Sequence, residues 1–224
     1  MHQLKPNTLL DDKFRILKHI ASGGMGSVYR GLDLELSRDV AIKVLSDNSD
    51  EFVERFLREA KSMAALDHPN IVPIYAAGTH EESKYLVMKL VNGVTLEEKV
   101  NRQRLELEAQ FSWQDVVKIF SSSLSALDHA HRRGILHRDI KPSNIMIDQN
   151  YEPVLMDFGL VRRIDEAKIT QTGTVYGTPE YMSPEQVKGE SSSTSSDIYS
   201  MGVVLFELLT QRLPFPNDSI YSAL

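Results

Sequence analysis

Cysteine is absent from the 224 residues. That excludes a disulfide framework and any thiolate metal centre, and it suits a reducing compartment. Long apolar runs are missing too: nothing approaches the roughly 20 residues needed to cross a bilayer. The opening MHQLKPNTLLDDKF lacks the apolar core of a signal peptide. The expectation is a cytoplasmic protein with no membrane span. Excess positive charge is also lacking, since the net charge is -6 and the pI near 5.7, which argues against nucleic acid or anionic membrane as a partner. What is present is a hydrophobic fraction of 42%, enough for a substantial core in one large domain or two small lobes.

No internal repeat is found. From Phe14 to about Leu90 the pattern is of short alternating segments, FRILKHIA, SVYRGLDL, DVAIKVL, IVPIYAAG and KYLVMKL, separated by Gly, Asp, Asn or Ser. These predict five strands. One helix interrupts them: EFVERFLREAKSMAAL carries Phe52, Val53, Phe56, Leu57, Ala60, Met63 and Ala64 on one face and stops at HPN. Near Gly93 the texture turns helical. SWQDVVKIFSSSLSALDHAHRR has Ser112 as a cap and a stripe through Val116, Val117, Phe120, Leu124 and Leu127. The stretch from about Asp197 to Leu209 is apolar nearly all round, the pattern of a helix buried on every side. The charged RQRLELE and the Ser-rich SSSTSS read as exposed loops or helix ends.

Several short motifs carry chemistry. In ASGGMGSVYRG, Gly23, Gly24 and Gly26 sit between two strands, where glycine lets backbone amides approach phosphate, although glycine equally serves a plain hairpin turn. Lys43 on the apolar strand VAIKVL is either an edge residue reaching water or a cation held inward for an anion. Glu59 in the helix is either that cation's partner or a solvated surface acid. In HRDIKPSN, Asp139 can take or orient a hydroxyl proton, Lys141 can neutralise transferred phosphate, and Asn144 can offer an amide oxygen to Mg²⁺. Asp157 in MDFGL supplies a second oxygen ligand. Seen alone, HRD could be a capped turn and DFG a hairpin end.

The order Gly-rich hairpin, strand lysine, helix glutamate, HRDxKxxN, DFG and SPE resembles the signature of protein kinases. From about Phe14 to Phe215 the chain is similar to bacterial eukaryotic-like serine/threonine kinases. The resemblance implies an α+β, two-lobed fold: a five-stranded antiparallel sheet with one helix over 14–91, and a mainly helical lobe over 92–216. Residues 1–13 would be an extension, and 217–224 the start of a further helix at which the C-lobe is cut short. It implies Mg·ATP as cofactor, with residues Ala21, Ser22, Gly23, Gly24 and Gly26 as the phosphate loop. Val28, Ala41 and Met146 would pack on adenine, backbone near Lys89 and Val91 would bond its edge, and Met88 would stand at the back of the pocket. Lys43 would hold phosphates and pair with Glu59, Asn144 and Asp157 would bind Mg²⁺, and Asp139 with Lys141 would serve catalysis.

Lys141 and Thr178 resemble the serine/threonine class, so the partner implied is a protein with a Ser or Thr acceptor. Thr170, Thr172 and Thr174 would be activation-loop phosphorylation sites with Arg138 as the receiving cation, and self-association would serve trans-autophosphorylation. Met63, Ile74, Phe158 and His137 would form a spine anchored near Asp197, whereas His129 and His131 match no catalytic position. Three departures stand out: Ala21 for the first loop glycine, Lys89 for a common acid, and an end at Leu224 that deprives Glu185 of its arginine. The alternative is a catalytically silent nucleotide-binding or interaction module. A small-molecule kinase is disfavoured by GTPEYMSPE, a peptide-docking loop such an enzyme does not need.

Overall fold

The computed structural model describes residues 4–23, 26–45, 58, 60–81, 83–158 and 179–215. Two compact units divide the chain, Met1–Asp67 with Val72–Val91, and His68–Ile71 with Asn92–Leu224.

The first unit is an antiparallel sheet in the order β1-β2-β3-β4-β6-β5, where β1 is Leu9–Leu10, β2 Phe14–Gly23, β3 Gly26–Asp33, β4 Arg38–Leu45, β5 Ile74–His80 and β6 Ser83–Lys89. β2 to β6 are the five expected strands. The sixth, β1, comes from the segment before Phe14: Asn7 donates to the Ile16 carbonyl at 2.8 Å, Ile16 donates back to Thr8 at 2.9 Å, and Leu10 is fully buried. Two residues offer too little alternation to be read as a strand.

One face of this sheet buries Phe14, Ile16, Tyr29, Val40, Ile42, Tyr85 and Val87 with Leu10. Each large side chain so buried contributes about 1.5–3 kcal/mol. Tyr85 also donates its hydroxyl to Asp11 at 2.5 Å. Cross-strand partners share a face, so the register Val28↔Lys43, Arg30↔Ala41, Ala41↔Met88 and Lys43↔Leu86 gathers these side chains on the opposite face. Of the helix expected before HPN, Arg58 and residues 60–64 are described and helical, with Ala60 and Met63 buried. The rest, Glu59 included, lies outside the described residues.

The second unit holds a sheet in the order β7-β8-β9, formed by Gly93–Thr95, Ile145–Asp148 and Pro153–Leu155. Its helices are α1 (Leu96–Arg104), α2 (Trp113–His131), α3 (Pro184–Val187) and α4 (Thr194–Thr210). Residues 68–71 belong here: Asn70 donates its side-chain amide to the Pro153 carbonyl at 2.7 Å, Leu155 donates to Asn70 at 2.8 Å, and Ile71 bridges Leu155. Ser112 caps α2 as expected. Its hydroxyl accepts from the Asp115 amide at 3.1 Å, and Asp115 accepts from the Ser112 amide at 3.1 Å.

Two readings of the helices are corrected. The buried stripe of α2 runs through Val116, Ile119, Ser123, Ala126, Leu127 and Ala130, while Val117 is exposed. Small residues carry half of that stripe, and a pattern built on large apolar side chains misses them. α4 is not buried all round. Its buried face includes Ser196, Asp197, Ser200 and Glu207, and its exposed face carries Ile198, Phe206 and Leu209. Among the described residues no helix is long and apolar enough to cross a membrane.

Candidate active site

In the first unit the β2–β3 hairpin closes with Gly23 opposite Gly26. Gly26 has φ +141°, and a Cβ there would sit 2.0 Å from the Val44 carbonyl oxygen. Glycine is therefore required for β3 to lie against β4. The hairpin base is laced on its side chains: His19 Nε2 meets Ser22 Oγ at 2.7 Å, and Ser22 Oγ meets Ser27 Oγ at 2.8 Å. Ala21 still pairs with Val28, directly after a register shift between His19 and Ala21. Beyond the hairpin, Ala41, Lys43 and Met88 are buried and Val28 is half-buried. Lys89 donates its amide to the Pro73 carbonyl at 3.0 Å, so that amide is already engaged. Val91 is half-buried at the end of this unit.

In the second unit, residues 137–144 run from the end of α2 to β8. Asn144 donates its amide to the Asp139 carbonyl at 2.7 Å and to Asp139 Oδ2 at 2.9 Å, and Lys141 Nζ lies 3.0 Å from the same oxygen. Asp139, Lys141 and Asn144 are thus brought together. The amide nitrogen of Asn144 is committed to Asp139, which leaves its oxygen as the group able to meet a cation. Met156 donates to the Asn144 carbonyl at 2.9 Å, which carries Asp157 alongside. Met146 pairs with Thr95 and Val154 in the small sheet.

Asp157 and Arg138 both adopt left-handed backbone, at φ 55° and 65°. For a residue with a Cβ this costs about 1–2 kcal/mol and persists only where surrounding bonds hold it. For Arg138 those bonds come from Asp197, buried in the first turn of α4. Its oxygens accept from the His137 amide at 2.8 Å, the Arg138 amide at 2.7 Å and His131 Nε2 at 2.8 Å. Burial alone would raise the Asp197 carboxyl; the bond from His131 and the two amides outweigh it and hold the group below its ordinary range. The His137 ring packs against Phe158 at an interplanar tilt of 41°, with ring centroids 4.5 Å apart. Burial pushes its imidazole down, so it stays neutral. Of the expected spine, this His137–Phe158 pair and its anchor on Asp197 are seen together, while Met63 is buried and Ile74 half-buried within the first unit.

Other placements differ from the sequence reading. His131 is partly buried and is also a partner of Asp197, with Nε2 2.8 Å from Oδ2, a role that the sequence does not show. Glu185 is half-buried and accepts from Ser196 Oγ at 2.5 Å, which holds its carboxyl low. It is not an orphaned buried acid, and Ser196 of the Ser-rich run stands at a helix end, in the first turn of α4, where it is a buried donor. Gln186 was not anticipated at all. The S-x-x-Q spacing from Ser183 signals a helix cap, but nothing in the sequence shows its second bond, to the Arg138 carbonyl at 2.9 Å. Gly24, Glu59, Thr170, Thr172, Thr174 and Thr178 lie outside the described residues.

The model of the protein kinase domain matches residues 14–223. The chain belongs to the protein kinase family. This kinase chain is 42% identical over 216 residues to the serine/threonine-protein kinase PrkC of Bacillus subtilis, covering 95% of this chain and 33% of PrkC. It is 41% identical over 219 residues to the serine/threonine-protein kinase PknL of Mycobacterium tuberculosis, covering 96% of this chain and 54% of PknL. The kinase thus spans a third to about half of these relatives' length. Among solved structures it resembles the kinase domain of PknI from M. tuberculosis, with a TM-score of 0.76 and 26% identity, over 96% of this chain and 78% of that one.

Proposed function

We propose that this chain transfers the γ-phosphate of Mg·ATP to serine or threonine hydroxyls of a protein, with phosphorylation of its own threonine-rich segment 168–178 as a regulatory step. The carrying observation is the joined set Asp139, Lys141 and Asn144, held over a strained backbone by Asp197. In this reading the acceptor hydroxyl gives its proton to Asp139 as its oxygen bonds to the γ-phosphorus and the bond to the β-phosphate oxygen breaks. Lys141 neutralises the charge passing over the phosphoryl oxygens. Lys43 and the amides of the hairpin 21–26 hold the remaining phosphates, and Val28, Ala41, Met88 and Met146 are apolar surface for the base.

The oxygens of Asn144 and Asp157 suit a hard divalent cation. Among the described residues no group of three or more His, Asp or Glu side chains could hold a metal by itself. In this reading Asn144 and Asp157 would hold the ion. When bound, Mg²⁺ supplies charge neutralisation at the β- and γ-oxygens. Arg138 is the expected receiver of a phosphothreonine, whose charge of about -1.5 to -2 would order its segment.

Incubating the purified chain with Mg·ATP and mapping phosphate by intact and peptide mass spectrometry tests this. Phosphate is expected on Thr170, Thr172 or Thr174 and is expected to vanish with EDTA. An unmodified chain in Mg·ATP, inert also toward Ser/Thr peptides, would replace the enzyme by a silent nucleotide-binding module. A second expectation concerns the hairpin. Gly26→Ala forces a methyl into the Val44 carbonyl, an overpacking that costs about 1–3 kcal/mol. The melting midpoint should fall and nucleotide affinity with it. Gly23→Ala meets nothing within 4 Å and should leave the midpoint in place. Equal melting of both variants would refute the close approach at Gly26.

A further inference from the structure

We infer that Gln186, on the four-residue helix α3, is a positioning residue for Asp139, an assignment that rests on the kinase reading above. Asp139 has its carboxylate held by Asn144 and Lys141, but the place of its Cα depends on the peptide unit that precedes it. That unit consists of the Arg138 carbonyl and the Asp139 amide. Its amide end faces His137 Nδ1 at 3.4 Å, a long contact that fixes little. Its carbonyl end accepts from Gln186 Nε2 at 2.9 Å. Since Arg138 is left-handed at φ 65°, the peptide would swing toward ordinary backbone unless both sides of the residue were held. Asp197 holds the Arg138 amide at 2.7 Å, and Gln186 holds the carbonyl.

The carboxamide of Gln186 suits this task because it is 7% exposed and saturated. Oε1 accepts from the Ser183 amide at 3.1 Å and the Ser183 hydroxyl at 3.3 Å, and Nε2 donates to the Arg138 carbonyl and to Ser192 Oγ at 3.4 Å. The Ser183 amide can only donate and the Arg138 carbonyl can only accept, so the amide has one permitted orientation. One end therefore caps α3 and the other fixes the catalytic loop. The seating of Ser183–Val187 thereby bears on the placement of Asp139, 47 positions earlier in the chain by the numbering.

Gln186→Glu separates the two ends. It preserves the cap acceptor and the shape, and it turns a carboxylate oxygen toward the Arg138 carbonyl. Steady-state phosphorylation of a mixed Ser/Thr peptide library by the parent and the variant, with nucleotide titration and thermal melting, gives the readout. A kcat lower by about 10- to 100-fold is expected, with KM for ATP within about twofold. Activity relative to the parent should recover as pH falls from about 8 to about 6, because a buried carboxyl facing a carbonyl gains a proton it can donate. Unchanged kcat, or a loss that ignores pH and merely follows the melting midpoint, would overturn the assignment. Should the glutamate variant melt early, Gln186→Met carries the test: lower kcat at unchanged KM supports the assignment, and parental kcat overturns it. An inactive parent would instead remove the kinase reading on which the inference stands, a result distinct from an active parent matched by its variants.

Discussion

Asp139→Asn should lower kcat by about 10²- to 10⁴-fold, the range general-base removal ordinarily gives, while the chain folds and binds nucleotide as before. The substitution keeps size and planarity. Its amide oxygen can still accept from Asn144 Nδ2, which now sits 2.9 Å from Asp139 Oδ2. The carboxylate's charge beside Lys141 is lost, and with it the ability to take the acceptor's proton. Asp139 is only partly buried, with a side chain 20% exposed, so its change places no unpaired charge in the core. Melting within roughly 0.5 kcal/mol of the parent is expected for such a site. The decisive measurement is kcat and KM for ATP on one peptide substrate: kcat within twofold of the parent would remove Asp139 from the chemistry.

Asp197→Ala should act the other way, through stability first. The carboxylate is 1% exposed and serves two backbone amides and His131. Its deletion strands those donors and a left-handed Arg138, and breaking a buried charged network costs about 3–5 kcal/mol. For a chain of this size each kcal/mol moves the midpoint by about 2–4 °C, so a fall of roughly 10 °C is expected in a thermal melt. A shift below about 2 °C would show that the network stabilises nothing. Asp197→Asn, which retains one acceptor oxygen, should fall between. The acid limb carries the same signature. His137 is held below its ordinary value of 6.5 by burial, so the unfolded chain binds its proton first and stability declines as pH drops below that value. Asp197, held below its ordinary 3.8, contributes stability above that value and loses it as pH falls through the lowered one.

The parts legible in the sequence are those whose meaning is local. The strand that carries Lys43 is legible in VAIKVL, while the choice between an edge residue and an inward cation is made only by its burial in the sheet. In HRDIKPSN the acid, amine and carboxamide lie within six residues of one another, so their contacts with each other are local even though Asp197 and Gln186 hold the backbone beneath them. Ser112 and Asp115 declare a capped helix start three residues apart. What stayed hidden depends on partners far along the chain. Arg104 meets the buried Glu207 at 2.6 Å and Tyr181 meets its other oxygen at 2.6 Å. Nothing in DIYSMGVVLFELL marks that glutamate as paired and not solvated. Ser196 and Asp197, at the start of the same helix, are likewise buried by partners that lie far along the chain. The phase of α2 was misjudged for a related reason: Ser123, Ala126 and Ala130 are buried because they are small, a property that a scale of hydrophobicity undervalues.

The four residues His68–Ile71 lie with the second unit although the chain on either side of them lies with the first. The polypeptide therefore passes between the units three times, after Asp67, after Ile71 and after Val91. A fold joined by one thread can be divided by one cut, and this one cannot. Severing the peptide at Val91 would leave Asn70 bonded to Pro153 and Leu155, and the strands that follow would still be tethered through Val72. Neither unit is a continuous stretch of chain.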